Sequence, residues 1–216
     1  MTDVWSQRAE AFRESPTHRE GPDLDLLVEW CEPGTGVKVL DVATGGGHVA
    51  RRLREAGCTV VTVDPAPGMQ ADVVAPADHL PFDGGSFDVV TCRIAAHHFP
   101  DIRVAVTEMA RVSNRLLVIE DNLFRGEQVE EAERLRDPTH VRCYSEDQWR
   151  EFVSAVGFEA EQVEHFDRRQ SFTAWLERVD TPPDAAARIR ELLADRVEDG
   201  LLAFESILLK ARRSRR

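Results

Sequence analysis

Apolar residues follow two alternating rhythms along the first 120 positions. Residues 37–42 and 58–63 are short, nearly continuous apolar runs, the pattern of strands buried on both faces. Residues 87–92 and 116–120 repeat it, and 73–75 form a shorter run of the same kind. Between them the period lengthens. In 49–56, Val49, Leu53 and Ala56 share one helical face while Arg51, Arg52 and Glu55 take the other, and Gly57 supplies a stop. Residues 101–112 read as a second such helix. Upstream, 4–14 form an amphipathic helix with Trp5 and Phe12 on its apolar side. Ser15-Pro16-Thr17-His18 ends it, and a further helix over 23–31 closes at Pro33-Gly34. Strands alternating with helices predict an α/β fold with a parallel sheet covered on both faces.

The last third changes character. Ser145-Glu146-Asp147-Gln148 is a capping-box pattern opening a helix that stops at Gly157. Residues 158–166 then read as a strand, 171–179 and 182–198 as helices, and 201–210 as a final strand, completing seven strands. Trp149 and Trp175 sit at apolar helical positions and are expected in the core.

Three glycines, Gly45 to Gly47, interrupt the pattern where the first strand gives way to its helix. Glycine there lets the backbone pass close to a ligand, and the helix N-terminus presents N–H groups to it. About 17 residues beyond Gly47, Asp64 closes the second strand, where a carboxylate can accept both hydroxyls of a ribose. Gly45-x-Gly47-x-x-Ala50 also fits a dinucleotide fingerprint. Against that ligand, Asp41 points an anion toward the turn. An anion suits the ammonium of an amino-acid moiety and repels a pyrophosphate. Little chain remains for a separate substrate domain.

Composition narrows the classes. The chain of 216 residues has a formal charge of −12, against the basic face of nucleic-acid binders. Its one basic cluster, Arg212, Arg213, Arg215 and Arg216, reads as a solvated terminus. No apolar run is long enough to span a membrane, and the start is polar, unlike a secretory signal. Cys31, Cys58, Cys92 and Cys143 lie too far apart for a zinc or redox motif and read as reduced thiols of a cytoplasmic protein.

VLDVATGGGH (39–48) closely resembles motif I of class I S-adenosylmethionine (SAM) dependent methyltransferases. HLPFDGGSFDVVTCRIAAHHFPD (79–101) resembles a stretch of the methyltransferase type 11 group, which includes ubiquinone/menaquinone-biosynthesis and many natural-product enzymes. RDPTHVRCYSEDQWREFVSAVGFE (136–159) is similar to the substrate-side segment of a bacterial subgroup, and SPTH (15–18) to its N-terminal lid. The resemblance implies a Rossmann-like seven-stranded sheet of order 3-2-1-4-5-7-6, with strand 7 antiparallel and helices on both faces. It implies one domain over 1–216: a helical lid over 1–35, a SAM-binding core over 36–121, and substrate-side helices with the last two strands over 122–216. It also implies SAM as cofactor and S-adenosylhomocysteine (SAH) as product. Asp41, Ala43, Thr44, Gly45 and Gly47 would hold the methionine end, Asp64 the ribose, and Ala77 and Asp78 the adenine, with Pro65 and Met69 as further cofactor-binding candidates. The chain departs from the pattern between Asp64 and Leu80, where about 15 residues replace a full helix and strand. Pro65-Ala66-Pro67-Gly68 cannot begin a long helix, and Pro76 stands where the family carries an adenine-binding acid.

Methyl transfer from a sulfonium needs positioning more than acid catalysis, and a base only where the nucleophile must lose a proton. The candidate bases are His97 and His98, just beyond the fourth strand, with His97 expected to face substrate and His98 to be structural. Arg93, a cofactor-site candidate, is expected either to contact a carboxylate or to form a surface salt bridge. Thr17, His18, Asp121, Asn122, His140 and Arg142 are substrate-side candidates. No metal is expected from the spacing. The expected activity is methylation of O, N or C of a small molecule by a monomer or homodimer. The alternatives are a methyltransferase-like protein using SAM as a fixed charge for a cyclisation, and a non-catalytic SAM-binding protein.

Overall fold

Strands form where the apolar runs lie, and they assemble around β1. The computed structural model describes residues 2–214, apart from the side chains of Thr2, Asp3, Pro16 and Thr17. In chain order the strands are β1 (Lys38–Val42), β2 (Thr59–Asp64), β3 (Val73–Val74), β4 (Phe87–Arg93), β5 (Ser113–Asn122), β6 (Phe158–Ser171), β7 (Val197–Glu198) and β8 (Leu201–Arg213). They run β3-β2-β1-β4-β5-β8-β6, with β7 pairing to β8 off this path. The pairings from β3 to β5 are parallel, and β8 is antiparallel to both β5 and β6. Apart from the added β7, this is the expected order with an antiparallel final strand.

Successive side chains of a strand face opposite ways, so the apolar runs supply two cores. Val39, Val60, Val89, Leu116 and Val118 pack with Leu24 and Leu27 of α3 (Pro22–Trp30) and Val49 and Leu53 of α4 (His48–Glu55). Leu40, Val42, Val90, Leu117 and Ile119 face α5 (Ile102–Val112) and α7 (Glu146–Ala155). Each fully buried Leu or Val stabilises the fold by about 1.5–3 kcal/mol. The Asp101 carboxylate caps α5 by accepting from the backbone of Arg103 and Val104, and Ser145 and Gln148 form the anticipated capping box on α7. Trp149 and Trp175 are core residues as expected.

Three elements differ from the sequence reading. Helix α6 (Glu127–Arg136) has only a short apolar edge, Val129, Ala132 and Leu135, and its buried residues include Glu130 and Glu133. The helix expected over 182–198 ends at Leu192 (α9, Pro183–Leu192), and β7 and β8 then form a hairpin through Asp199 and Gly200. Both turn residues have positive φ, 51° and 75°, as an Asp-Gly hairpin turn requires. Third, the basic terminus is not loose. Arg212 pairs with Glu32 and Glu161, and Arg213 donates to the carbonyls of Ala110 and Ser113, inside β8. Arg215 and Arg216 lie outside the described residues. Near α9, α8 (Phe172–Glu177) and α6 enclose a third core around Trp175, Ile189 and Leu202.

The crossover from β2 to β4 is as short as the prolines imply. It holds a single 3-10 turn, Pro67–Met69, and the two-residue β3. This leaves room for the N-terminal helices α1 (Thr2–Glu14) and α2 (Pro16–Arg19) to close over the sheet edge. Arg13 donates to the Gly68 carbonyl (2.5 Å), the Gly68 N–H donates to Ser6 Oγ (3.0 Å), and His48 Nε2 donates to the Phe12 carbonyl (3.1 Å). A Cβ on Gly68 would sit 2.6 Å from the Cα of Ser6, a backbone atom that cannot swing away. Gly68→Ala is therefore expected to lift α1, at about 1–3 kcal/mol of lost docking energy. The check is cleavage within residues 2–20 by trace protease, which should accelerate at least several-fold with little change in global Tm. Cleavage at the wild-type rate would mean that α1 tolerates the methyl group.

Candidate active site

Parallel strands open a crevice at their carboxyl ends, and the polar residues of β1, β2, β4 and β5 gather there. Asp41 is fully buried near the end of β1. Its carboxylate accepts from Thr44 Oγ1 (2.5 Å) and has no ion-pair partner among the described residues. Burial pushes its pKa up to about 6. Asp64, at the end of β2, accepts from the backbone N–H of Ala66 (2.9 Å) and Gly45 (3.0 Å). Burial raises its pKa, and those two N–H groups oppose the shift. Gly45 and Gly47 adopt left-handed φ of 51° and 74°, which turns the backbone into α4 without side chains over the crevice.

These groups wall a cavity of about 400 Å³, inside the size range of small-molecule sites. Asp41, Ala43, Thr44 and Gly45 line it, together with Asp64, Pro65 and Met69 and with Pro76, Ala77 and Asp78. Gly47 shapes the turn, while its neighbour Gly46 lines the cavity. Trp5 and Phe12 of α1 and Phe99 add the apolar part of the wall. Thus the expected cofactor residues meet in one place. Arg93 forms the salt bridge of its second reading, but buried rather than at the surface. It does bind carboxylates, but they belong to the chain: its guanidinium pairs with Asp23 and with Glu120 (2.7 Å) and donates to the His18 carbonyl (3.0 Å). Arg168 contacts the same two acids. This buried cluster joins α3, β4, β5 and β6 behind the cavity, and Arg93 only completes its wall.

A smaller cavity of about 90 Å³ adjoins the first, sharing Phe12, His18, Ile94 and His98 with it. Ile94 holds a positive φ of 51°, a costly conformation for a β-branched residue, at this junction. His97 lines only the smaller cavity. Its Nδ1 lies 2.5 Å from Asp121 Oδ1, and its backbone N–H donates to the other Asp121 oxygen (2.7 Å). A carboxylate accepts, so Nδ1 carries the proton and Nε2 keeps a lone pair. Burial opposes charging of His97, but the Asp121 carboxylate outweighs it and raises the pKa. His98, expected to be structural, lines both cavities. Its Nδ1 lies 3.1 Å from the Thr139 carbonyl and its ring packs edge-on against Trp5 at 4.6 Å. Burial, then the positive charge of His97, pushes its pKa well down.

The substrate-side candidates divide. His18, Asn122 and His140 line the smaller cavity. Asp121 is engaged by His97 and by the Asn122 N–H (2.8 Å), so it acts through the histidine rather than facing the cavity. Arg142 is a correction: it is exposed, lies over Phe124 and 4.0 Å from Glu127, and lines neither cavity. The Thr17 side chain lies outside the described ones. Sequence spacing also missed a buried group: His140 Nε2 bonds Glu130 (2.9 Å), and the Cys143 N–H donates to the same carboxylate. The side-chain ligand atoms of Glu130, His140 and Cys143 lie within 4.8 Å of one another. Those bonds anchor residues 138–144 to α6, and Val141 and Arg142 donate to the His97 carbonyl from that anchored loop.

Comparison with known proteins agrees with this geometry. The methyltransferase-domain family profile matches residues 40–115. The uncharacterized methyltransferase YcgJ of Bacillus subtilis is 32% identical over 208 residues, covering 86% of this chain and 82% of its own. Its crystal structure superposes with a TM-score of 0.81 at 26% identity, over 90% of this chain and 99% of that one. The ubiquinone/menaquinone C-methyltransferase UbiE of Rhizobium johnstonii is 36% identical over 125 residues, 48% of each chain. Magnesium protoporphyrin IX methyltransferase from Synechocystis, solved with SAH bound, shares the fold alone (TM-score 0.60, 16% identity, 88% of this chain and 81% of that one). No helix among the described residues is long and apolar enough to cross a membrane. With identity to a relative sustained over most of both chains and the glycine turn, Asp41 and Asp64 set around one cavity, the chain belongs to the class I SAM-dependent methyltransferases of the type 11 group.

Proposed function

We propose that the protein transfers a methyl group from SAM to O, N or C of a small molecule held in the smaller cavity. The observation that carries this reading is the pair of adjoining cavities, one walled by Asp41 and Asp64, the other lined by His97, whose ring Asp121 holds from behind. The residues fit the cofactor: a buried carboxylate without a cation is what an amino-acid ammonium requires at Asp41. Asp64 retains lone pairs for two ribose hydroxyls beyond the two N–H groups it accepts. Bound SAM supplies an electrophilic methyl group on a sulfonium.

The chain's own part is positioning and proton transfer. Asp41 and Thr44 orient the amino-acid end, Asp64 the ribose, and Ala77 and Asp78 flank the adenine in place of the acid lost at Pro76. The α1 lid with Trp5 and Phe12 excludes water. Asp121 holds the His97 ring so that Nε2 can take a proton from the acceptor. Calorimetry tests the cofactor half: SAM and SAH should bind, and Asp64→Ala should weaken both by roughly 100-fold or more, the loss of two hydrogen bonds to a charged group at about 1.5–3 kcal/mol each. Binding of a nicotinamide dinucleotide with no response to SAM would sink the proposal. Acceptor turnover without SAH formation would assign the protein to the cyclising type instead.

A further inference from the structure

Resting on that reading, we infer that the methyl acceptor is a small carboxylate, whose anionic group is held by Arg178 in the smaller cavity. Four arginines line this cavity, and three are neutralised by the chain itself. Arg136 pairs with Glu133 (3.5 Å), Arg169 with Glu198 (3.0 Å), and Arg168 with Asp23 and Glu120. Arg178, at the C-terminal end of α8, has no carboxylate in ion-pair range among the described residues. Its guanidinium has one acceptor there, the Gln170 amide oxygen at 3.0 Å. It is partly desolvated, and burial followed by the positive Arg136 beside it push its pKa down, with no acid opposing them. A second lining group repeats the deficit: the Nε of Arg168 is buried with no acceptor among the described residues.

An uncompensated cation in a partly desolvated wall is costly unless an anion completes it. The fork of a guanidinium matches a carboxylate through two parallel bonds. Asp137, the cavity's other acid beside Glu133, is paired with Arg8 (3.1 Å), so one surplus positive charge remains. It calls for a monoanion, which favours carboxylate over a phosphate dianion. The cavity's size restricts the ligand to a small acid, and Phe12, His18, Ile94 and His98, which line both cavities, put that acid next to the space of the methyl donor. His97 lines the same space, so one molecule can meet the arginine and the candidate base together.

The test is calorimetric titration of the SAH-loaded protein with benzoate and with benzamide, which have nearly the same shape and differ in charge. Benzoate should bind at least ten-fold tighter than benzamide. Arg178→Gln should remove that preference, Arg178→Lys should keep part of it, and SAH affinity should stay within about two-fold in both. Equal binding of the two probes to the wild type, or an undiminished preference in Arg178→Gln, overturns the assignment. Where the glutamine variant does not fold, Arg178→Lys locates the anion: a preference as large as that of the wild type overturns the assignment to Arg178. Inorganic phosphate displacing benzoate at lower concentration than acetate does would also overturn the carboxylate class. A wild type that fails to bind SAH would refute the methyl-transfer reading, and benzoate titration of the unloaded protein would still decide the anion site.

Discussion

Asp41→Asn is expected to stabilise the unliganded protein above pH 6 while removing most of its affinity for SAM. The buried Asp41 carboxyl has a pKa of about 6, against 3.8 for the free side chain. The folded state therefore holds this proton more tightly than the unfolded chain. Between those two values the native protein is protonated and the unfolded one is not, so stability falls as pH rises through the window. Above pH 6 the cost is complete, and a shift of about two units corresponds to roughly 3 kcal/mol. Asparagine keeps an oxygen for the Thr44 hydroxyl and never ionises. For a chain of this size its Tm at pH 8 should exceed the wild-type value by several degrees, at about 2–4 °C per kcal/mol, and the gap should close below pH 4.

The same substitution leaves a bound ammonium without its counter-ion. Removing one member of a desolvated charge pair typically costs about 2–5 kcal/mol, so Kd for SAM should rise by about 100-fold or more. Opposite signs in the two measurements identify Asp41 as a group whose burial is strained until the cofactor arrives. Scanning calorimetry from pH 4 to 8 and titration with SAM check both halves. An Asn variant that binds SAM as the wild type does would remove Asp41 from the cofactor site.

The sheet was legible in the chain because its strands are buried on both faces and bounded by glycines and charged helix faces. The pattern failed where burial is one-sided or polar. Strand β6 alternates exposed and half-buried residues as far as Ser171, and its charged stretch around Arg168 and Arg169 hides the continuation beyond Phe166. Helix α6 buries two glutamates beside a short apolar edge, because His140 and Cys143 satisfy Glu130 from a distant loop and Arg136, one turn on, pairs with Glu133. The hairpin after α9 did carry a local signal, Asp199-Gly200, which the helical spacing of the preceding residues masked. At the site, motif spacing located Asp41, Asp64 and the glycine turn because they are set by one strand–turn–helix–strand unit, β1 to β2. Spacing said nothing about which of two adjacent histidines faces which cavity. That depends on Asp121, 24 residues away on β5, and on Thr139 in a loop anchored by α6. Nor did it show that Arg93 is consumed by Asp23 and Glu120, since those contacts join elements distant in sequence.

His97→Ala is expected to lower turnover by about 100-fold or more, the usual contribution of a positioned base, with SAM affinity nearly unchanged because His97 does not line the larger cavity. The base form is the neutral ring, so the rate should rise with pH through the His97 pKa. The Asp121 carboxylate holds that pKa above the ordinary 6.5, and the inflection should lie above that value. Asp121→Asn removes the negative charge while keeping a polar group at the same place. The inflection should then move to lower pH, and the plateau rate should fall, because the amide no longer fixes Nδ1 as the protonated nitrogen. His98 provides the contrast. Burial and the neighbouring His97 charge depress its pKa, so it stays neutral over the working range and cannot produce this inflection. The measurement is SAH formation from pH 5 to 9 with the true acceptor for wild type, His97→Ala, His98→Ala and Asp121→Asn. A wild-type profile already flat above pH 6, or an inflection untouched by Asp121→Asn, would remove the His97–Asp121 pair from proton transfer and leave it a structural link between β5 and the 138–144 loop.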